Sequence, residues 1–404
     1  MRSVALDRRR GYYIALFLVF IVNPFCGGIL ALFSLRSQNG IDNKRVVYFF
    51  LALLMGMIAY TQYTTVGDLS RIYANIVEDS RGFRTNFFSA FQSKHILFDL
   101  INDIIYYFTS NVRLTTLLWV FILYYFTFLS VDNLAQFKNK ILNGKEIFLL
   151  LAATIFSFIM FTQVTEIMKQ GIATSIFLYS YSLFLLKKKW QSILWLFCAV
   201  NIHFSVLFFI PLFFTAFFSE KYIYCIFVFS FFMRQFDLMG TLTEYLQQFS
   251  GIGDVFLLGS IAMQVDEFHY DMEGFFRSGS FFFQFIYWHV FLVIILLKIL
   301  KRNGILINAT LLMLCVLNFN YYSDHNYTRL LTMMFPFYIM LSFEIMELKR
   351  RDWKTLIFSF LIIGTFLVNF RMSISRLFDS SYYNTYMDGS FLNLLVYPSI
   401  MYFL

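Results

Sequence analysis

Apolar runs of near-membrane length alternate with short polar steps along most of this chain. Residues 12–35, 46–66 and 278–297 each reach the roughly 20 apolar residues that cross a bilayer. Runs at 147–162, 171–186, 222–233, 305–320 and 330–346 predict further helices. Four basic clusters punctuate them: Lys138/Lys140/Lys145, Lys187–Lys189, Lys298/Lys301/Arg302 and Lys349/Arg350/Arg351. Such clusters at span ends mark the cytoplasmic side. The chain between any two of them must then cross an even number of times. Runs 147–162 and 171–186 form one hairpin with 163–170 outside, and 305–320 and 330–346 form another with 321–329 outside. Between the second and third clusters the parity holds only if 190–218 folds as two short legs, turning near Asn201-Ile202-His203. His203 is therefore expected at an outer tip, where irregular backbone needs protein or a wet cavity around it. The segment 234–277 becomes the largest outer loop.

The first quarter leaves alternatives open. Asn23-Pro24 and Gly27-Gly28 interrupt the first apolar run, which either spans once or dips and returns. Residues 95–108 carry Asp99 and Asp103 at helical spacing, which suits a helix lying along the interface. The expected fold is an all-α polytopic integral membrane protein of about 12–14 transmembrane or re-entrant helices. It is read as one membrane domain over residues 1–404, with a larger loop at 236–277.

Composition agrees with this pattern. The chain is 59% apolar and 14% charged, against about 25% charged in soluble domains. The net charge of +8 sits largely in the span-end clusters, so it signals orientation and not a nucleic-acid partner. Arg8-Arg9-Arg10 precede a run too long for a cleaved signal peptide, and the segment is expected to stay. Cys26, Cys198, Cys225 and Cys315 lie in apolar runs without metal-type spacing, and read as small core residues. No internal repeat is visible.

Polar groups gather on the outer side of this topology: Glu166, Lys169, Gln170, His203, Ser205, Asp324, His325 and Arg329. Gln163, Glu166, Gln170 and Thr174 form one stripe on an otherwise apolar helix, which should face the bundle interior. Plainer readings stand beside a functional one. Glu166 and Lys169 suit a pair across one turn, Asp324 and His325 suit ordinary loop positions, and His203 suits a structural histidine.

Four stretches then resemble a family. "VGDLSRIY" (66–73), "MKQGIATSIF" (168–177), "IHFSVLFFIP" (202–211) and "NYTRLL" (326–331) are similar, in order and rough spacing, to landmarks of the EpsG/Wzy-like bacterial polysaccharide polymerases. Two departures stand out. Lys169 occupies the place of the family's usual arginine, which removes a bidentate fork, and no arginine precedes Gly67. The resemblance implies glycosyl transfer between donor and acceptor glycans carried on undecaprenyl pyrophosphate. It places that reaction at the periplasmic face of the inner membrane, with the Asp68 loop outside. Lys169, Arg329 and Arg71 are the expected cations for the leaving pyrophosphate. His203, Glu166 and Asp68 are the candidate bases, His203 first because of its ordinary pKa. Gln170, Tyr73 and Ser205 are expected substrate contacts. No D-x-D pair occurs in an outer segment, so no metal or other cofactor is expected. Asp266, Glu267 and Asp271 read as a solvated loop face. The bilayer and a chain-length regulator are the further partners the resemblance suggests. Two alternatives stay open: a different lipid-dependent glycosyltransferase using Asp68 as base, and a flippase or transporter of lipid-linked sugars.

Overall fold

The computed structural model describes residues 2–36, 43–61, 68–80, 95–159, 168–236, 238, 272–321 and 324–378. Among these, the ordered elements are all helices. Three are long and apolar enough to cross a membrane, namely Arg113–Phe137, Arg329–Met346 and Arg351–Arg371, and five shorter apolar helices accompany them. The outer loop expected at 236–277 falls almost wholly outside the described residues. The chain divides into two compact units, Met1–Leu207 with Asn369–Leu404, and Phe208–Val368.

The first unit begins with α1 (Arg2–Val22) and α2 (Pro24–Ser34). Asn23 caps α2, its side-chain oxygen accepting from the Cys26 amide at 2.8 Å, and Pro24 takes the first turn, where no amide donor is needed. A Cβ on Gly27 would lie 2.6 Å from Cα of Phe20. Residues seven apart can meet only if the chain doubles back, so the first apolar run dips and returns. Its second leg comes to rest on Phe148, whose ring lies 5.4 Å from Phe33.

Helix α3 (Lys44–Tyr60) then packs antiparallel on α6 (Arg113–Phe137). At one end Asp132 accepts from Lys44 at 2.7 Å and from the Tyr48 hydroxyl at 2.9 Å. At the other, Asn111 donates to the Tyr60 hydroxyl at 2.9 Å. One turn in from that second end the two backbones touch at Gly56, where a Cβ would stand 2.6 Å from the Leu117 carbonyl oxygen. Because α6 finishes beside Lys138 and Lys140, the basic steps share the Lys44 end. The helices α4 (Asp68–Ser80) and α5 (Ile96–Thr109) follow the opposite end of α3. This resolves the ambiguity of the first quarter: the Asp68 segment lies away from the basic steps.

Helix α7 (Gly144–Ala153) opens with a capping box of Asn143 and Glu146 and passes into a π-helical turn, Thr154–Phe158. Helices α8 (Met168–Leu185) and α9 (Lys189–Ile202) form a hairpin around the lysine triplet, joined by Ser180 donating to the Ser192 carbonyl at 2.7 Å. Asn133 of α6 donates to Ser182 of α8 at 2.9 Å near the same basic end. The second short leg follows His203 as a 13-residue 3₁₀ stretch, Phe204–Ala216. At about 2.0 Å per residue a 3₁₀ helix of that size gives roughly 26 Å, close to the thickness of a bilayer core.

In the second unit, α10 (Glu220–Gln235) runs beside α12 (Ile305–Phe319), with Asn318 donating to Ser230 at 3.0 Å. Helix α11 (Met272–Ile299) returns to Glu220, which pairs with Lys298. Helices α13 (Asp324–Met334) and α14 (Tyr338–Met346) flank a short 3₁₀ turn, and α15 (Arg351–Phe378) follows, of which the part up to Val368 belongs to this unit. Glu344, fully buried, meets Arg302 at 3.3 Å and sits against Gly304 at the start of α12, where a carboxylate favours the helix dipole. The two later basic steps and Glu220 thus share one end of this unit. Arg234, Gln284, Tyr321 and Arg329 lie at the other.

The cysteines need a correction. Cys315 is buried and Cys198 half-buried, but Cys26 and Cys225 are exposed. Both sit on outward helix faces that are apolar, with Ile29, Leu30, Val228 and Phe229 likewise exposed. A helix facing lipid keeps apolar residues outside as well as in, so an apolar run does not imply a core position.

Candidate functional site

In the first unit, α5, the start of α8 and the end of α9 meet at the end away from the basic steps. Helix α9 ends at Ile202, and His203 is extended at φ −158° and ψ 122°. Its side chain then caps the 3₁₀ stretch that follows. The Ser205 amide donates to His203 Nδ1 at 3.2 Å, and the Ser205 hydroxyl lies 2.7 Å from the same nitrogen. A backbone N–H can only donate, so Nδ1 is an acceptor and the neutral ring carries its proton on Nε2. The H-x-S spacing has a local cause: a residue before a helix accepts from the amide two positions on.

The His203 ring stacks on His95, centroids 4.7 Å apart and planes 16° apart, with Phe204 beside it. His95 leads into α5. One turn later Asp99 Oδ1 meets Lys169 Nζ at 3.4 Å, and the same ammonium lies 4.8 Å from the Phe98 ring centroid. Phe98 is held from behind by Trp119, stacked at 5.0 Å, whose indole donates to Asn102 at 2.7 Å. Lys169 thus has an acidic partner 70 positions away in sequence. The alternative partner in its own turn, Glu166, lies outside the described residues.

The other sequence-predicted residues fall as follows. Of the four-residue stripe, Gln170 and Thr174 are buried, while Gln163 and Glu166 lie outside the described residues; Gln170 Oε1 has no hydrogen-bond partner among the described residues. Asp68 opens α4, though its side chain lies outside the described residues. Arg71 is exposed on α4, while Tyr73 turns inward and shares a 2.7 Å hydrogen bond with Thr116, anchoring α4 on α6. Ser205 is buried at the His203 cap. Arg329 lies in α13 of the second unit, where it opens the apolar stretch Arg329–Met346. The side chains of Asp324 and His325 lie outside the described residues, as do Asp266, Glu267 and Asp271. Among the described residues no group of three His, Cys, Asp or Glu side chains stands close enough to hold a metal ion.

Three features were missed by sequence reasoning. His95 and Asp99 complete the cluster around His203 and Lys169, and only Asp99 carried a signal, its place in an apolar helix. Arg234, which ends α10 in the second unit, is buried among aromatic rings. Its signal was an arginine adjoining an apolar run, a pattern shared with every span end.

The arrangement in the first unit offers a weakly engaged cation, an imidazole with a fixed tautomer and a nearby carboxylate. That set can hold an anion and manage a proton. The sequence model of the EpsG family matches residues 45–388. No curated protein and no solved structure matches the chain.

Proposed function

The chain belongs to the EpsG family, and from that premise we propose that it polymerises lipid-linked oligosaccharide repeat units. The carrier is undecaprenyl pyrophosphate and the site faces the periplasm of a bacterial inner membrane. The family match over most of the chain is the observation that carries this reading. The positive-inside rule supports the orientation, since it turns the basic end of each unit to the cytoplasm.

In the reaction, the bond between the donor's anomeric carbon and the pyrophosphate oxygen breaks. The pyrophosphate leaves with the bonding electrons, an acceptor hydroxyl forms the new bond, and its proton passes to a base. Pyrophosphate needs cations more than protonation. Lys169 suits that task because its pair with Asp99 is long and partly exposed, and such pairs are weak. A diphosphate carries more charge than a carboxylate and competes well for the ammonium. Arg71 and Arg329 are further cations, and Gln170 a polar contact. Tyr73 acts as a positioning residue through Thr116.

The His203 cap changes the assignment of the base. A neutral ring whose Nδ1 accepts from the Ser205 amide carries its proton on Nε2, which makes that nitrogen a donor and not a base. We therefore assign His203 to hydrogen bonding with developing negative charge and give the base to Asp68 or Glu166. The test is a deletion strain scored by glycan gel. Single repeat units on the carrier or lipid core are the expected result. Unchanged polymer overturns the reading, and complete loss of surface glycan points instead to a flippase.

A further inference from the structure

Arg234 is the only arginine named among the buried polar and charged side chains of the described residues, at 6% exposure. Its guanidinium carbon lies 4.0 Å from the ring centroid of Tyr287 and 4.4 Å from that of Tyr321, with Tyr327 and Trp288 at 5.7 and 5.8 Å. Gln284 is fixed beside it, its Oε1 accepting from Arg234 Nη2 and its Nε2 donating to the Tyr321 hydroxyl at 3.2 Å. Among the described residues Nη1 is buried with no hydrogen-bond partner, and no carboxylate forms an ion pair with the group.

This combination is unusual in physical terms. Arginine does not lose its proton in proteins, so the charge is permanent. Aromatic faces attract it without neutralising it. Buried charges are ordinarily paired, as the fully buried Glu344 is with the partly exposed Arg302 at the basic end of the same unit. At Arg234 no carboxylate partner stands among the described residues, and Nη1 is left unused beside the Nη2 that Gln284 engages. A guanidinium fork matches two oxygens of one phosphate. The residues around it come from α10, α11, the end of α12 and α13, so four helices fix its surroundings.

We propose that Arg234 is a phosphate-anion site, occupied by the diphosphate of the lipid-linked sugar. The identity of that anion rests on the glycosyl-transfer reading above. In this assignment Gln284 orients the guanidinium, Tyr287 and Tyr321 exclude water from it, and Nη1 supplies the donor the diphosphate receives.

The test uses the full chain in phosphatidylcholine nanodiscs, with thermal unfolding followed as inorganic pyrophosphate is added. Wild type should show a saturable rise in Tm. Arg234→Lys, which keeps the charge and loses the fork, should need about tenfold more pyrophosphate for the same rise. Arg234→Gln should show none, while its Tm without pyrophosphate equals or exceeds that of wild type, because an unpaired buried charge has been removed. If Arg234→Gln does not fold, the lysine variant decides alone. Equal pyrophosphate responses in wild type and Arg234→Lys overturn the site, as does the lack of any response in wild type. A rise produced only by phosphatidylglycerol, and unaffected by pyrophosphate, also overturns it in favour of a lipid-headgroup anchor. A site lost in Arg234→Lys beside a deletion strain that still polymerises would sink the polymerase reading and leave the anion site standing.

Discussion

The two ends that lie away from the basic steps present positive charge in opposite ways. In the first unit Lys169 is about a quarter exposed and faces Asp99. In the second unit Arg234 is buried among tyrosines and faces no acid among the described residues. A partly exposed pair is worth about 0–1 kcal/mol, so Lys169 changes partners at little cost. A buried guanidinium loses several kcal/mol of solvation, which the ring faces offset without supplying a counter-charge. That leaves a fixed positive charge suited to an anion. The lysine is suited to following charge as it develops, and the arginine to holding charge already present. Membrane burial lets one chain build both kinds of site from the same residue class.

The largest expected effect tests what the first-unit end does beyond holding its shape. In His203→Asn the side-chain oxygen replaces Nδ1 as the cap acceptor, but nothing replaces Nε2–H. Membrane levels should match wild type while polymer on a glycan gel falls about 10²-fold or more, the usual loss for one oxyanion donor. His203→Ala should lose the cap as well, lowering stability by about 0.5–2 kcal/mol. Full polymer from the asparagine variant would reduce His203 to a cap.

Next come the charges on either side of the pair. Lys169→Ala should reduce polymer about tenfold or more, because an electrostatic contact to a leaving diphosphate is lost. Lys169→Arg should stay near wild type. Asp99→Asn should also stay within about threefold, since an exposed pair contributes little. If Asp99→Asn fell as far as Lys169→Ala, the pair itself would be the working unit and the contrast with Arg234 would narrow.

Much of the helix pattern was legible in the sequence. The break of 190–218 near Asn201-Ile202-His203 followed from counting basic steps, because an uneven count would put a lysine cluster on the wrong side. The runs at 222–233 and 305–320 lie within a few residues of α10 and α12. The return of the first run at Asn23-Pro24 was one of two readings, and only the approach of Gly27 to Phe20 chose between them. The helix Arg113–Phe137 was passed over, because its Thr, Ser, Asp and Asn positions blur the apolar run. Those residues are buried, and in the interior they bond to neighbours instead of to water, as Asp132 does with Tyr48. The site was less legible. Lys169, His203 and Ser205 stood out as polar groups in apolar surroundings. Their partners Asp99 and His95 lie about a hundred positions before His203, and no local spacing encodes that contact. Arg234 was hidden for a different reason: an arginine at a helix end normally reaches for headgroups, and only burial separates it from that default.

A structural change separates the two ends. Gly56→Ala places a methyl group 2.6 Å from the Leu117 carbonyl oxygen, which cannot swing aside as a side chain can. Pushing α3 from α6 should lower stability by about 1–3 kcal/mol, read as a lower Tm in nanodiscs. Because Gly56 belongs to the first unit and Arg234 to the second, the Tm rise caused by pyrophosphate should be unchanged. A diminished rise would mean that the anion response depends on the first unit.

The smallest effect lies at the basic end of the second unit, which serves as a control for both sites. Glu220 precedes the apolar part of α10, and the hydrogen bond from Lys298 holds its carboxyl below the ordinary value of 4.5, with Tyr224 adding to the effect. A carboxyl whose folded pKa is depressed stabilises the fold above its unfolded pKa and loses that contribution as pH falls through the folded value. Glu220→Gln should therefore lower Tm slightly and evenly from pH 8 down to about pH 5, with the gap from wild type closing below about pH 4.5. About a third of the Glu220 side chain is exposed, so the gap should also shrink in high salt. Polymer yield and the pyrophosphate response should both stay at wild-type levels, because this pair holds two helices together at the end where no sugar chemistry is proposed. A gap that widened as the pH fell would mean that the protonated form of Glu220 is the stabilising one, and a lost pyrophosphate response would tie this end to Arg234 along the length of α10.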